Sequence, residues 1–335
     1  MQQASAPAAP ANIASAPSAD EISRAPVTVI ETTKFRVQLV HLGARARSLQ
    51  LLRHKAKATA EDPYQLVHST SSSPLPLGVY FGDQSDASIL YQVDGISRPV
   101  DPKDGIVRLA EHDDVSISMS GVAADGSRIR KIFHFFGNNY LFNLEVAVER
   151  PVLDGTKVWL EWSYHLPQEI VQQSYNQSSI KFLEDSSVTT ELLSAISPET
   201  KEAITGRWIG VGDYYFIATV IAPQSGQLRY ENRNYDFLVR AAGSESGGSF
   251  SVYAGPKQHV EMEPARLSLE KSIDLGWFTF LAYPLLVVLR FFLQSALQLR
   301  LGNCPAHHLH KGHILAPDPG KFEFHEGHAG SPAGD

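Results

Sequence analysis

Cys304 and six histidines, His307, His308, His310, His313, His325 and His328, crowd one tract near the end of the chain, and such side chains could hold zinc or another transition metal. Metal ligands need fixed geometry and supporting hydrogen bonds. The surrounding NCPAHHLHKGHILAPDPGKFEFHEGHAG (303–330) is rich in Pro and Gly and offers neither, so no designed metal site and no other cofactor is expected. Asp94, Glu111, Asp113 and Asp114 could do acid/base work or bind calcium, but they lack a regular ligand spacing and read as solvated loop acids. Trp208, Gly210, Gly212, Asp213 and Tyr214 could line a ligand cleft. Their plainer use is structural: glycines for tight turns, Asp213 bonding loop backbone, aromatics in the core. Gly255 and Pro256 read as a turn. No nucleophile elbow and no Gly-rich phosphate loop accompanies these residues, so the chain reads as a non-enzyme.

The elements that must position these residues are strands. The 335 residues carry 43% hydrophobic and 19% charged side chains, enough for a sizeable core. A net charge of −7 argues against a nucleic-acid partner, which calls for a basic stripe. One cysteine excludes an internal disulfide and leaves the redox compartment open. No charged-then-apolar secretory signal opens the chain, so any targeting segment lies outside these residues.

Residues 1–26 are mostly Ala, Ser and Pro and read as a flexible linker. From Val27 the pattern turns to period two. KFRVQLV puts Phe35, Val37 and Leu39 on one face. NYLFNLEVAVE does the same with Tyr140, Phe142, Leu144, Val146 and Val148, and KVWLEWS groups Val158, Leu160 and Trp162. DYYFIATVIAP, YDFLVRA and SFSVY are β-rich too. Alternation with one polar face marks antiparallel strands half exposed to water. Turn signals such as Asp94-Gly95, Asp104-Gly105, Asp125-Gly126 and Gly137-Asn138 separate them. The expected fold is all-β, a large antiparallel sandwich over 27–270. SVTTELLSAISPETKEAI (187–204) holds helix formers and is a candidate helix, interrupted at Pro198.

DLGWFTFLAYPLLVVLRFFL (274–293) has only Arg290 as a charge after Asp274. Its composition fits a kinked membrane span, a helix lying in the headgroup plane, or a buried core helix. About a dozen large apolar side chains exceed what one core stripe needs, which favours lipid contact through Trp277, Phe278, Phe280, Leu285, Leu286, Leu289, Phe291 and Phe292.

Three segments, in this order, resemble the bacterial YidC-type membrane protein insertase family. WIGVGDYYFIATVIAP (208–223) is similar to that family's Trp-x-Gly-x-x-Asp-x-Tyr-Phe motif, here Trp208, Gly210, Asp213, Tyr215 and Phe216. YAGPK is similar to its Tyr-x-Gly-Pro-Lys, here Tyr253, Gly255, Pro256 and Lys257. IDLGWFTFLAYPLLVVLRFF (273–292) is similar to the stretch entering the membrane core, with Asp274, Gly276, Trp277 and Pro284. The first strands fit more weakly. The resemblance implies a first transmembrane helix, a linker, a periplasmic super-β-sandwich, an amphipathic helix on the outer membrane surface (here 271–292), and five more spans. It implies location at the bacterial inner membrane, with this portion mainly periplasmic. The implied partners are the lipid bilayer, nascent membrane proteins and the Sec translocon. The runner-up is a free periplasmic carbohydrate-binding or mutarotase-like sandwich, which would show an open cleft with paired carboxylates or stacked aromatics.

On this pattern the chain starts inside the linker, and residues 293–335 should be an apolar helix. Read one base late, their codons permit NYGLAIVLLTIFIKVIFWPLT, an apolar run with one basic residue, and later MKGM and QALQPE. A histidine codon read late gives Ile, Thr or Met, so a His/Pro/Leu-rich tail is what an apolar helix looks like out of frame. Residues 293–335 are therefore expected to be an out-of-frame, disordered tail, and the chain a fragment lacking the insertion groove.

Overall fold

The structure of the protein is a computed structural model that describes residues 17–55, 61–67, 70, 73–82, 84–150, 155–166, 168, 178–198, 200–263 and 267–273. The chain divides into two units, Met1–Asp274 and Leu275–Asp335, and every described residue lies in the first. Asp274, Gly276, Pro284, the eight expected lipid-contact residues and the Cys/His tract lie outside the described residues.

The period-two pattern folds as strands. A smaller sheet has the order β4-β3-β2-β1-β8, from β1 (Val27–Glu31), β2 (Phe35–Val40), β3 (Arg45–Lys55), β4 (Pro63–Gln65) and β8 (Ile106–Arg108). The larger sheet holds β5 (Gly78–Phe81), β6 (Gln84–Ser85), β7 (Gln92–Ile96), β9 (Asp114–Val122), β10 (Arg128–Phe136), β11 (Leu141–Glu149) and β12 (Val158–His165). It continues with β13 (Ser179–Glu184), β14 (Ser187–Leu192), β15 (Lys201–Gly212), β16 (Phe216–Arg233), β17 (Asp236–Ala242) and β18 (Gly247–Pro256). Its path runs β6-β5-β12-β17-β16-β18-β11-β10-β9-β7, with β15, β13 and β14 branching from β16.

The branch follows from one long strand. β16 pairs with β18 through Phe216–Ile221 and with β17 through Leu228–Arg233, while β15 follows it with a register shift between Gly206 and Trp208. A bulge bends and twists a strand, and here it lets one ribbon serve two parts of the sheet. Among the described residues pairing is antiparallel with one exception: β1 and β8 run parallel, Val29 opposite Ile106. A parallel pair needs a long crossover, and β2 to β7 supply it.

The core forms where the inner faces meet. Phe35, Val37, Leu39, Leu49 and Leu51 of the smaller sheet are buried with Ile117, Phe133, Phe135, Phe142, Leu144, Val220 and Val252 of the larger. Phe35 reaches across to Phe135 and Phe142, ring centroids 6.1 and 6.3 Å apart. Each such side chain contributes about 1.5–3 kcal/mol by leaving water. A buried charge cluster also joins the sheets. Arg45 on β3 and Lys131 on β10 both donate to Asp86, at 2.8 and 2.6 Å. Lys131 Nζ also donates to the carbonyls of Gly43 and Leu77. Burial raises the Asp86 carboxyl, but Lys131 and Arg45 outweigh it and hold it below its ordinary range. Burial, with Arg45 nearby, pushes the Lys131 ammonium down to about 8.

Four details depart from the sequence reading. Residues 187–204 form β14, a short 3-10 turn (Leu193–Ala195) and the start of β15 rather than a helix. Val188, Thr189 and Thr190 are β-branched, and pairing with β13 overrides the weak helix propensity around them. Within the Ala/Ser/Pro-rich start, Ala19–Arg24 is a helix (α1), capped where Ser18 and Glu21 exchange hydrogen bonds. β12 buries both faces, because Glu161 receives Arg240 and Tyr80 on its outer side. Asp94-Gly95 sits at an irregularity inside β7 rather than in a turn.

Candidate interaction surface

The β15–β16 turn and the end of β18 bring the first two sequence motifs together. Asp213 organises the turn: its Oδ1 accepts from the backbone N–H of Tyr215 at 2.8 Å and of Phe216 at 2.7 Å. Its Oδ2 accepts from the Tyr64 hydroxyl at 3.0 Å. Lys257 ties the second motif to the first, its backbone N–H donating to the Tyr215 carbonyl at 2.7 Å and its Nζ to the Asp213 carbonyl at 2.5 Å. The Tyr253 hydroxyl donates to the Pro256 carbonyl at 2.6 Å. Trp208 is buried, and its indole N–H donates to Leu267 O at 3.0 Å, holding the segment that follows α2 (His259–Met262).

The glycines allow close approach. A Cβ at Gly212 would lie 2.2 Å from Phe216 O, and one at Gly210 2.4 Å from Thr219. Gly255 and Pro256 are strand residues, paired with Ile217 and Phe216, and not a turn. Gly255 is small because the Tyr140 ring lies 2.6 Å from where its Cβ would be.

Beneath the turn lies an aromatic stack. Tyr64 and Phe216 are stacked at 4.1 Å, and His54 meets Phe216 edge-on at 5.2 Å. Burial raises the phenols of Tyr64, Tyr140 and Tyr253, so they stay neutral, and Tyr64 and Tyr253 act as donors. Burial lowers His54, which favours the neutral ring. Lys34 pairs with Glu261 of α2 at 2.6 Å. Tyr64, His54 and Lys34 were not singled out by the sequence, and Tyr140 only as an inward strand residue, for no local spacing links them to Asp213. Tyr214 points outward instead of into the core: it is 54% exposed, Tyr215 68% and Val260 70%.

The remaining candidates are dispersed. Asp113 accepts from Ala110 N–H and from Arg98, and Asp94 accepts from the hydroxyls of Ser118 and Ser120. Among the described residues no group of three or more His, Cys, Asp or Glu could hold a metal ion. Carboxylates and aromatic rings do gather on the outer face of β12, β16 and β17, as a sugar site would have them. There Arg240 donates to Glu161 and Glu231, and Arg233 grips Glu231 at 2.7 and 3.0 Å. The guanidinium of Arg229 covers Trp159 at 4.3 Å and that of Arg240 covers Tyr80 at 4.3 Å. The carboxylates are thereby neutralised, and each ring has a face occupied where a sugar would stack.

The model of the YidC periplasmic domain matches residues 27–288, from the first strand into the apolar stretch. The chain belongs to the YidC periplasmic-domain family. Among curated relatives, the membrane protein insertase YidC of Magnetococcus marinus is 29% identical over 190 residues, 50% of this chain and 34% of the relative. That of Syntrophobacter fumaroxidans is 28% identical over 288 residues, 78% of this chain and 50% of the relative. That of Cellvibrio japonicus is 25% identical over 301 residues, 80% of this chain and 52% of the relative. The chain thus spans about half, or less, of the length of the curated relatives it matches. A galactose mutarotase-like protein from Lactobacillus casei superposes with a TM-score of 0.40 at 9% identity, over 69% of this chain and 100% of that one, a likeness too slight to bear on function. In this member of the YidC periplasmic-domain family, the Trp208–Phe216 and Tyr253–Lys257 segments form one locked corner. Among the described residues no helix is long and apolar enough to cross a membrane.

Proposed function

We propose that this chain is the periplasmic portion of a YidC-type membrane protein insertase, held at the bacterial inner membrane by the apolar stretch that follows the sandwich. Its role is non-catalytic: it supports folding and partner contacts while nascent membrane proteins enter the bilayer elsewhere in the intact insertase. The Sec translocon is the expected protein partner. A groove that lowers the cost of carrying polar groups into hydrocarbon, several kcal/mol for each unsatisfied group, belongs to the membrane-spanning part of such an insertase and not to this periplasmic portion. On this reading the chain by itself does not insert membrane proteins.

One observation carries the proposal: the family match runs from Val27 through the β body and on to residue 288, inside the apolar stretch. A helix there would place Trp277, Phe278, Phe291 and Phe292 at the headgroup boundary, where aromatic rings are favoured. Flotation with phospholipid vesicles is the test. The full chain should rise with the vesicles, and a variant with serine at 277, 278, 291 and 292 should stay at the bottom of the gradient. Equal flotation of both, or of neither, would overturn the membrane assignment.

A further inference from the structure

Among the described residues β14 is an edge strand without proline, lysine or a bulge. Among the described residues its one strand neighbour is β13, with Ser179 opposite Leu192 and Glu184 opposite Ser187. Leu193 N–H donates to Ser178 O at 2.9 Å, one pair beyond that ladder. In an antiparallel ladder the bonded pairs alternate, so Leu193, Glu191, Thr189 and Ser187 face β13. The N–H and C=O groups of Val188, Thr190 and Leu192 therefore point away from it. No backbone partner meets them among the described residues. The 3-10 turn Leu269–Ser272 approaches the hairpin, and Lys271 donates to Ser186 O at the connecting turn.

Natural edges are blunted by short length, proline, lysine or a bulge. β4, β6 and β8 are only two or three residues long, and β7 carries an irregularity between Val93 and Gly95. β14 is six residues, SVTTEL, with none of these devices, and Leu192 is 46% exposed at its end.

The surroundings say what fits. Glu184 and Asp185 stand at the β13–β14 turn, Glu191 lies on the strand, and Glu202 sits near it, both glutamates acting on Tyr230. None of these four carboxylates has an ion-pair partner among the described residues. A second copy of the chain would bring the same acids to the same edge, which disfavours self-pairing. We propose that the β14 edge accepts an extended polypeptide strand bearing lysine or arginine, by strand addition. Backbone bonds to Val188, Thr190 and Leu192 would hold the strand, and the carboxylates would select its charge. The proposal does not rest on membrane attachment.

The test uses the full chain and an acetylated ten-residue peptide alternating threonine or valine with lysine. Amide NMR shifts should move at Val188, Thr190 and Leu192, and the same peptide with glutamate for lysine should bind at least tenfold more weakly. Thr190→Pro should abolish binding while leaving the melting transition in place, because the Thr190 N–H faces away from β13. If that variant fails to fold, a peptide N-methylated at alternate amides carries the same prediction on the unaltered chain: it should not bind. Equal binding of the acidic or the N-methylated peptide would overturn the proposal. So would a dimer, seen by sedimentation, whose NMR contacts lie at β14, since the occupant would then be a second copy.

Discussion

Asp213 is the residue on which the corner depends. Its carboxylate satisfies two backbone N–H groups and the Tyr64 hydroxyl. Asp213→Ala should therefore cost about 2–3 kcal/mol in urea unfolding, with Asp213→Asn intermediate because one oxygen remains to accept. Lys131 gives a second prediction, in pH. Folding pushes its ammonium from 10.5 down to about 8. Between those values the unfolded chain holds more protons, so stability should rise as pH increases from about 8. Above pH 10 the unfolded chain releases phenolic protons that Tyr64, Tyr91, Tyr140, Tyr164 and Tyr253 retain when folded, so stability should then fall. Lys131→Met should remove the rise. It should also lower stability by about 1–3 kcal/mol, because the Gly43 and Leu77 carbonyls lose their donor. Denaturation midpoints across pH check both. The two residues differed in legibility. Asp213 was read as bonding loop backbone, whereas Lys131, inward between Ile129 and Phe133, was not singled out, because Ile132 and Phe136 blur the alternation of RIRKIFHFF. The Tyr64–Asp213 bond joins positions 149 apart, and no local pattern foretells it.

Among elements, strands with one wet face were the legible ones. β2 and β11 alternate as their sequences do, with Phe35, Val37 and Leu39 inward in one and Phe142, Leu144, Val146 and Val148 in the other. Legibility failed where tertiary contacts overrode local signals. The 187–204 stretch has helix formers but is captured by β13 and β16. β12 looked half exposed because its outer charges, Glu161 above all, are buried only by partners from β5 and β17. Ser18 and Glu21 form a capping box that composition had hidden inside an Ala/Ser/Pro tract. Gly255 was read as a turn residue, although its task is to let β18 pass the Tyr140 ring. Gly255→Ala should accordingly cost about 1–3 kcal/mol by overpacking. Much of the loss should return when Tyr140 is also made leucine, a coupling that a double-mutant cycle would report.

For the whole molecule, the sandwich and the apolar stretch belong to one family match, yet they differ in composition. The β body pairs most of its backbone within its sheets and buries most of its aromatic rings, with Tyr214 and Tyr215 as exceptions. The stretch after Ile273 concentrates apolar side chains on a segment with Arg290 as its only charge between Leu275 and Leu293. The out-of-frame origin proposed for residues 293–335 predicts that genomic DNA after codon 292, read one base late, encodes an apolar helix with one basic residue. Stop codons throughout that phase would remove the idea. The chain's four tryptophans allow a sharper measurement. Trp159, Trp162 and Trp208 are buried in the β body, so Trp277 is the one expected to meet lipid. With vesicles of brominated phospholipid, fluorescence of the full chain should be quenched, and Trp277→Phe should remove that quenching. Absence of quenching in the unaltered chain, or quenching that persists in the variant, would contradict attachment to the bilayer through this segment.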